Sequence, residues 1–196
     1  MKRAAVTTLA ISFVLAPAVA LAHPGHDGAG GLMHGFVHPV TGVDHVLAMI
    51  AVGVLAALYG GRALWLVPTS FLFAMAVAGV IGMAGIPVQI VEAGIALSVV
   101  VLGLMLAFQI KPPTLVAMVV VGFFALFHGY AHGSEMPDGP AGLSFAAGFL
   151  IATALLLGAG VGLGLLLQRQ TLSRRLIQTG GGAMALVGIA VLASVL

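Results

Sequence analysis

Long apolar runs, separated by short gaps, constrain this sequence more than any other feature. Hydrophobic residues make up 61% of the 196-residue chain and charged residues only 6%, whereas soluble domains contain about 25% charged residues. A run of about 20 apolar residues is the length that a helix needs to cross a bilayer. The sequence therefore predicts an all-α fold, a polytopic membrane helix bundle with no soluble domain.

The gaps divide the chain into six predicted transmembrane helices. Four gaps contain glycine or proline, and the fifth is a polar stretch, which are the signals expected where helices end. The predicted spans, which together form one domain at 38–196, are 38–59, 63–84, 88–109, 113–132, 141–167 and 175–196.

The first apolar run is shorter and has the pattern of a cleavable signal peptide. Lys2 and Arg3 precede its apolar segment, and a small-x-small cleavage site ends at Ala22. We expect residues 1–22 to be removed, so that a short His-containing periplasmic leader, 23–37, begins the mature chain. An uncleaved first transmembrane helix is the alternative.

Basic residues beyond the signal peptide all fall in alternate gaps between the predicted spans. They are Arg62, Lys111, Arg169, Arg174 and Arg175. The positive-inside rule makes these gaps cytoplasmic, and a secreted amino terminus predicts the same orientation. We therefore expect a multi-pass protein of the bacterial inner membrane, with both mature termini in the periplasm.

Glycine is abundant, at 28 residues, and is concentrated at 158–164 and 180–182. Small residues allow transmembrane helices to approach each other closely. This pattern predicts tight packing, either within one chain or between the copies of a homo-oligomer, and does not distinguish the two.

An acid and two imidazoles enter the first predicted span. Proline favours the first turn of a helix and disfavours helical backbone in the residue before it, so we expect Pro39 in the first turn of this span, with His38 just before it. His38 and His45 are nearly two turns apart and project to similar sides of one continuous helix. Asp44 is costly inside a membrane without a partner, and a partner is therefore predicted.

The fourth predicted span supplies candidate partners. His128 and His132 share one helix face, a spacing that suits two ligands of one metal ion. Glu135 extends the same stripe if the helix continues through Gly133. Because the first and fourth spans run in opposite directions, both sets of residues lie at the periplasmic end. We predict a shared metal site; hydrogen bonds that merely hold the helices together are the alternative.

Glu92 is the only acidic residue of the third predicted span and lies near its outer start. Ionisable residues in spans usually face the bundle interior, so we expect Glu92 to neutralise a bound cation or to pass it onward. The alternative is an interfacial glutamate that contacts headgroups or water.

The available ligand types limit the set of metals that could bind but do not select one of them. Cysteine is absent, which excludes disulfides and thiolate sites. Histidine and carboxylate ligands suit nickel, zinc, cobalt, iron or copper(II). In the leader, His23, His26 and His34 form either a short metal-capturing arm or a flexible polar segment.

The motifs around Asp44 and His132 resemble those of the HupE/UreJ family of hydrogenase and urease accessory membrane proteins, and the resemblance covers essentially the whole chain. It implies a bacterial inner-membrane permease, with nickel as the usual substrate and metalloenzyme maturation proteins as partners. The metal-handling residues that it implies are His38, Asp44, His45, His128, His132 and Glu135.

Our leading hypothesis is a permease that captures a divalent transition metal at the periplasmic face and passes it inward. The rival is an intramembrane zinc-dependent hydrolase, in which His45, His128 and His132 hold the metal while Asp44 or Glu135 activates water. A periplasmic sensor or an anchor for an accessory complex is a third hypothesis. Nothing in the sequence predicts nucleic-acid binding, and the inner halves of the spans lack charged residues.

Overall fold

The computed structural model describes residues 31–85, 88–168 and 171–196. The predicted signal peptide, its cleavage site and the His23/His26 arm lie outside these residues. The described chain forms helices and no strand, which confirms the all-α prediction. The helices are α1 (Gly31–Thr41), α2 (Val43–Tyr59), α3 (Ala63–Gly82), α4 (Val91–Ala107), α5 (Thr114–Ser134), α6 (Pro140–Leu167) and α7 (Thr171–Val195).

The first predicted span is two helices, α1 and α2, which meet at an angle of 81°. The prediction that Pro39 lies in the first turn of this span is wrong, because Pro39 lies near the end of α1. A proline within a helix removes one backbone hydrogen bond, and here the helix ends at Thr41, two residues later. The Thr41 hydroxyl donates to the His38 carbonyl (2.7 Å) and satisfies one acceptor at this helix end.

α1 begins within the predicted leader, at Gly31. It packs along the first half of α6. Glycine is required at this crossing, because a Cβ on Gly35 would collide with the Phe145 carbonyl and one on Gly148 with the Leu32 carbonyl. The prediction of a leader at 23–37 therefore missed a helix. The apolar face of this helix is covered by α6, a contact that exists only in the folded chain.

α2 is the central helix of the bundle and contacts α3, α4 and α6. Every residue from Ala51 to Ala57 is buried. A helix that is apolar all round is expected where other helices enclose it. α2 therefore fixes the position of whatever its first turn carries, namely Asp44 and His45.

The remaining helices pair closely, α3 with α5, α4 with α7, and α6 with both α1 and α2. A Cβ on Gly129 would collide with the Met75 carbonyl and one on Gly160 with the Ile50 carbonyl, so part of the glycine content serves packing within one chain. A Cβ added at Gly158 or Gly162 would meet open space. The homo-oligomer stays a prediction.

In the part of the chain that the structure describes, four helices are long and apolar enough to cross a membrane: α3, α5, α6 and, within α7, Arg174–Val195. The bent pair of α1 and α2 makes a fifth if it is counted as one span. α4 is shorter, at 17 residues. Large apolar side chains such as Trp65, Phe73 and Leu115 are exposed on the outside, as expected for helices that face lipid.

Candidate metal centre

Four imidazoles from three helices meet where α2 begins and α5 ends. The ring centroid of His45 lies 4.7 Å from that of His128 and 4.5 Å from that of His132. His38, from the last turn of α1, lies 4.8 Å from His132. The sequence predicted that His38 and His45 would project from one face of a continuous helix. Because the helix breaks at Gly42, the two side chains instead approach His132 from two different helices, α1 and α2.

Asp44 has its partner in the next residue. Its Oδ1 accepts hydrogen bonds from the His45 backbone N–H and from the ring Nδ1–H, each 2.8 Å long. A carboxylate that accepts from Nδ1 leaves Nε2 of the same ring with a free lone pair. His45 Nε2 is buried and has no hydrogen-bond partner, so its position suits a metal ligand that Asp44 orients.

Gly42 leaves room for this pair. A Cβ at this position would lie 2.9 Å from His45 Nδ1 and 3.0 Å from Asp44 Oδ1. Any larger residue would therefore push the acid and the imidazole apart. The backbone of Gly42 is extended (φ −87°, ψ 114°), so the missing side chain matters for the Asp44–His45 pair and not for the helix break.

Ser98 holds His128 in a single tautomer. The Ser98 hydroxyl donates to the Ile95 carbonyl (2.6 Å), and its oxygen lies 3.0 Å from His128 Nε2. Ser98 has one hydroxyl hydrogen and a carbonyl can only accept, so the Nε2–H of His128 must donate to Ser98. The lone pair of His128 is then on Nδ1, which is buried and has no hydrogen-bond partner.

His132 has no hydrogen-bond partner on either ring nitrogen, and both nitrogens are buried. Its ring lies 4.2 Å from that of Phe149 on α6. An unpaired buried polar group costs about 1–3 kcal/mol. His45, His128 and His132 therefore present unpaired nitrogens within a small volume, an arrangement that a bound cation would relieve.

Glu135 lies at the exposed edge of this cluster. α5 does continue through Gly133 and ends at Ser134, so Glu135 follows it directly. Its Oε2 is 3.1 Å from His38 Nε2 and 4.0 Å from His132 Nδ1. Ligand atoms of His38, His132 and Glu135 all lie within 4.8 Å of one another, which makes this group a second candidate site toward the surface.

Glu92 lies outside the imidazole cluster. It is exposed in the first turn of α4 and lines an open cavity together with Tyr130, Ser134 and Glu135. The structure therefore brings together six of the seven predicted residues and leaves Glu92 beside them.

Comparison with known proteins identifies the same family as the sequence motifs. A sequence model of the family described as HupE/UreJ protein matches residues 11–191. The chain belongs to the HupE/UreJ family. Protein HupE of Rhizobium leguminosarum bv. viciae is 45% identical over 192 residues, which cover 98% of this chain and 99% of that relative. No solved structure gives a significant match. The resemblance drawn from the motifs is confirmed, and this HupE/UreJ protein is a membrane protein.

Sequence reasoning missed two features of this HupE/UreJ site. Ser98 is fully buried, but its spacing from His128 in the sequence gave no signal of a contact between α4 and α5. His34, considered only as part of the leader, lies on α1 with its ring 6.1 Å from that of His38. Its spacing of four residues from His38 is the signal that would have placed both on one helix face.

Proposed function

We propose that this HupE/UreJ protein is an inner-membrane permease for a divalent transition metal, and that nickel is the substrate, as the family resemblance implies. One observation carries the proposal. Five imidazoles form a continuous row, in the order His34, His38, His132, His45 and His128, with successive ring centroids 6.1, 4.8, 4.5 and 4.7 Å apart. The row begins exposed, is half-buried at its second member, and ends fully buried.

Such a row suits the stepwise movement of a cation. Neutral imidazole nitrogen is a good ligand for nickel and its neighbours in the first transition series. Each step exchanges one imidazole for the next, so the ion need not be stripped of all its ligands at once. Glu135 at the exposed end and Asp44 beside the buried end supply negative charge, which lowers the cost of bringing a dication into an apolar bundle.

We propose six spans with the metal centre facing the periplasm. The 17 residues of α4 fall at the short end of the range for a transmembrane helix, and α4 packs against α2, α5 and α7. The basic residues Arg62, Lys111, Arg174 and Arg175 then lie at the cytoplasmic end. Metalloenzyme maturation proteins are the partners expected there.

Thr153 is our candidate for the next contact beyond the row. It lies one turn after Phe149 on α6 and is fully buried, and its hydroxyl has no hydrogen-bond partner. A residue four positions along a helix lies on the same face. The hydroxyl therefore offers a polar contact further along the face that already touches His132.

Radiometal uptake into proteoliposomes tests the proposal. We expect the wild-type protein to take up nickel faster than empty vesicles, and His128→Ala to reduce uptake to the empty-vesicle rate. Gly158→Ala is the matched control, because its Cβ would meet open space and uptake should be unchanged. Wild-type uptake equal to that of empty vesicles, for nickel and for the other first-row metals, would refute a permease.

A metal-dependent hydrolase is the second candidate, favoured by one cavity. This cavity, of about 190 Å³, has an apolar lining that includes Met75, Met83 and Met136 and reaches His132. A lipid or peptide segment could approach a zinc-bound water there. Purified protein would then hydrolyse a fluorogenic lipid or peptide substrate in a chelator-sensitive reaction, and His132→Ala would abolish it. No chelator-sensitive hydrolysis of either substrate would exclude this candidate.

A further inference from the structure

A second cavity lies at the end of the bundle opposite the imidazoles. It has a volume of about 460 Å³ and is formed where α2, α4 and α6 end and α7 begins. Two basic side chains, Lys111 and Arg174, line it together with the amides of Gln109 and Gln168. Two cations and two amides at one opening form a surface suited to an anion.

None of the acidic residues that the structure describes lines the cavity, where it could neutralise these cations. The five acidic residues are Asp27, Asp44, Glu92, Glu135 and Asp138. All of them except Asp27, which the structure does not describe, lie at the imidazole end of the bundle. Among the described residues, neither Lys111 nor Arg174 forms an ion pair. The described part of the chain therefore supplies no negative partner for these two cations, and the cavity is open to a negatively charged ligand from outside.

The walls of the cavity are fixed in position. The Gln168 side-chain amide donates to the Ala57 carbonyl (2.5 Å), and the Tyr59 hydroxyl donates to the Ile110 carbonyl (3.2 Å). Gln109 has φ +51°, a left-handed conformation that favours glycine at a helix end. The chain instead places an amide side chain on the cavity wall at this strained position.

The rest of the lining is apolar and identifies the kind of anion. Leu58, Phe108, Leu167 and Ile177 complete the cavity. A lining that combines cations with large apolar side chains, at the end of a membrane bundle, matches an amphiphile better than a free ion. Basic pockets between transmembrane helices bind the headgroups of anionic lipids in this way.

We propose that this cavity binds the phosphate group of an anionic phospholipid, with Lys111 and Arg174 on the phosphate and the apolar lining against the first part of the acyl chains. The site is separate from the metal centre and does not depend on the permease proposal. A bound lipid would join the ends of α4, α6 and α7 across the cavity.

Titration of the full-length, delipidated protein in detergent, followed by native mass spectrometry, tests the proposal. The ligands are phosphatidylglycerol, phosphatidylcholine with the same acyl chains, and inorganic phosphate. The variants are Lys111→Gln/Arg174→Gln, the charge-preserving Arg174→Lys, and Arg175→Gln as the control. Arg175 is the matched control because it is exposed beside Arg174 and does not line the cavity.

We expect phosphatidylglycerol to bind at least tenfold more tightly than phosphatidylcholine. At about 1 kcal/mol for each cation near the membrane surface, the double variant should lose affinity by about thirtyfold. Arg174→Lys should keep most of the affinity and Arg175→Gln all of it. Three results would each overturn the proposal: equal binding of the two lipids, equal losses in Arg175→Gln and in the double variant, or binding of inorganic phosphate as tight as that of phosphatidylglycerol.

Discussion

Replacing Ser98 with alanine removes the one hydrogen bond that fixes the tautomer of His128. In the native protein His128 Nε2–H donates to Ser98 Oγ over 3.0 Å, and both side chains are fully buried. Alanine leaves this N–H without an acceptor, at a cost of about 1–3 kcal/mol. The imidazole can reduce this cost by moving its proton to the other ring nitrogen or by turning its ring, and either change takes the Nδ1 lone pair out of position.

Loss of a hydrogen-bond partner behind a metal-binding histidine typically costs about 10–100-fold in metal affinity. We expect Ser98→Ala to weaken nickel binding by a factor in that range, without removing any ligand. Competition titration of the detergent-solubilised protein against a chromophoric chelator measures the affinity. Nitrogen NMR of histidine-labelled protein reads the tautomer directly, and a merely structural role of Ser98 would leave that spectrum unchanged.

Ser70→Ala is the matched control for this experiment. The Ser70 hydroxyl also donates to a helix carbonyl, that of Val67 (2.8 Å), but this hydrogen bond involves no imidazole. Thermal melting followed by circular dichroism shows whether each variant is folded. If folded Ser98→Ala binds nickel within twofold of the wild type, the role of Ser98 in orienting His128 for metal binding is refuted.

Three further predictions follow from contacts in the structure. Gly42→Ala should weaken nickel binding about 10–100-fold, because the new Cβ would separate Asp44 from His45; affinity equal to that of the wild type in the competition titration would contradict this. Glu135→Gln should weaken binding at most about fivefold, since the carboxylate is exposed and its pairing is screened, whereas Glu92→Gln should stay within twofold; the reverse order would place Glu92 in the site. Thr153→Val should raise the free energy of unfolding by about 1 kcal/mol, because an unpaired buried hydroxyl is removed. If Thr153 contacts the moving ion, this variant also lowers the uptake rate while affinity is unchanged, and an unaltered rate would exclude it from the path.

Sequence alone placed most of the helices because apolar length and gap residues act locally. Each predicted span after the first corresponds to one helix, with ends that differ by at most four residues. The same local rules failed at Pro39, because α1 is stabilised by its contact with α6, more than a hundred residues away. A preference for the first turn of a helix is weak compared with the packing of a whole helix face.

The metal centre was predictable as a set of residues but not as an arrangement. Opposite directions of the first and fourth spans placed Asp44, His45, His128 and His132 at one end. The role of each imidazole depends on which of its two ring nitrogens carries the hydrogen atom, and the sequence does not show this. Asp44 was expected to need a partner across the bundle, and its partner is the adjacent His45.

The break at Gly42 explains why a site of this kind needs two short helices in place of one. On a continuous helix His38 and His45 would lie nearly two turns apart along the axis, about 10 Å at 1.5 Å per residue. The 81° bend instead brings both rings to His132, with centroids 4.8 and 4.5 Å away. The bend therefore turns two distant ligands into neighbours of a third, and a glycine at the bend keeps the space that the Asp44–His45 pair occupies. A variant that restores a continuous helix through this point should keep every imidazole and still lose the row.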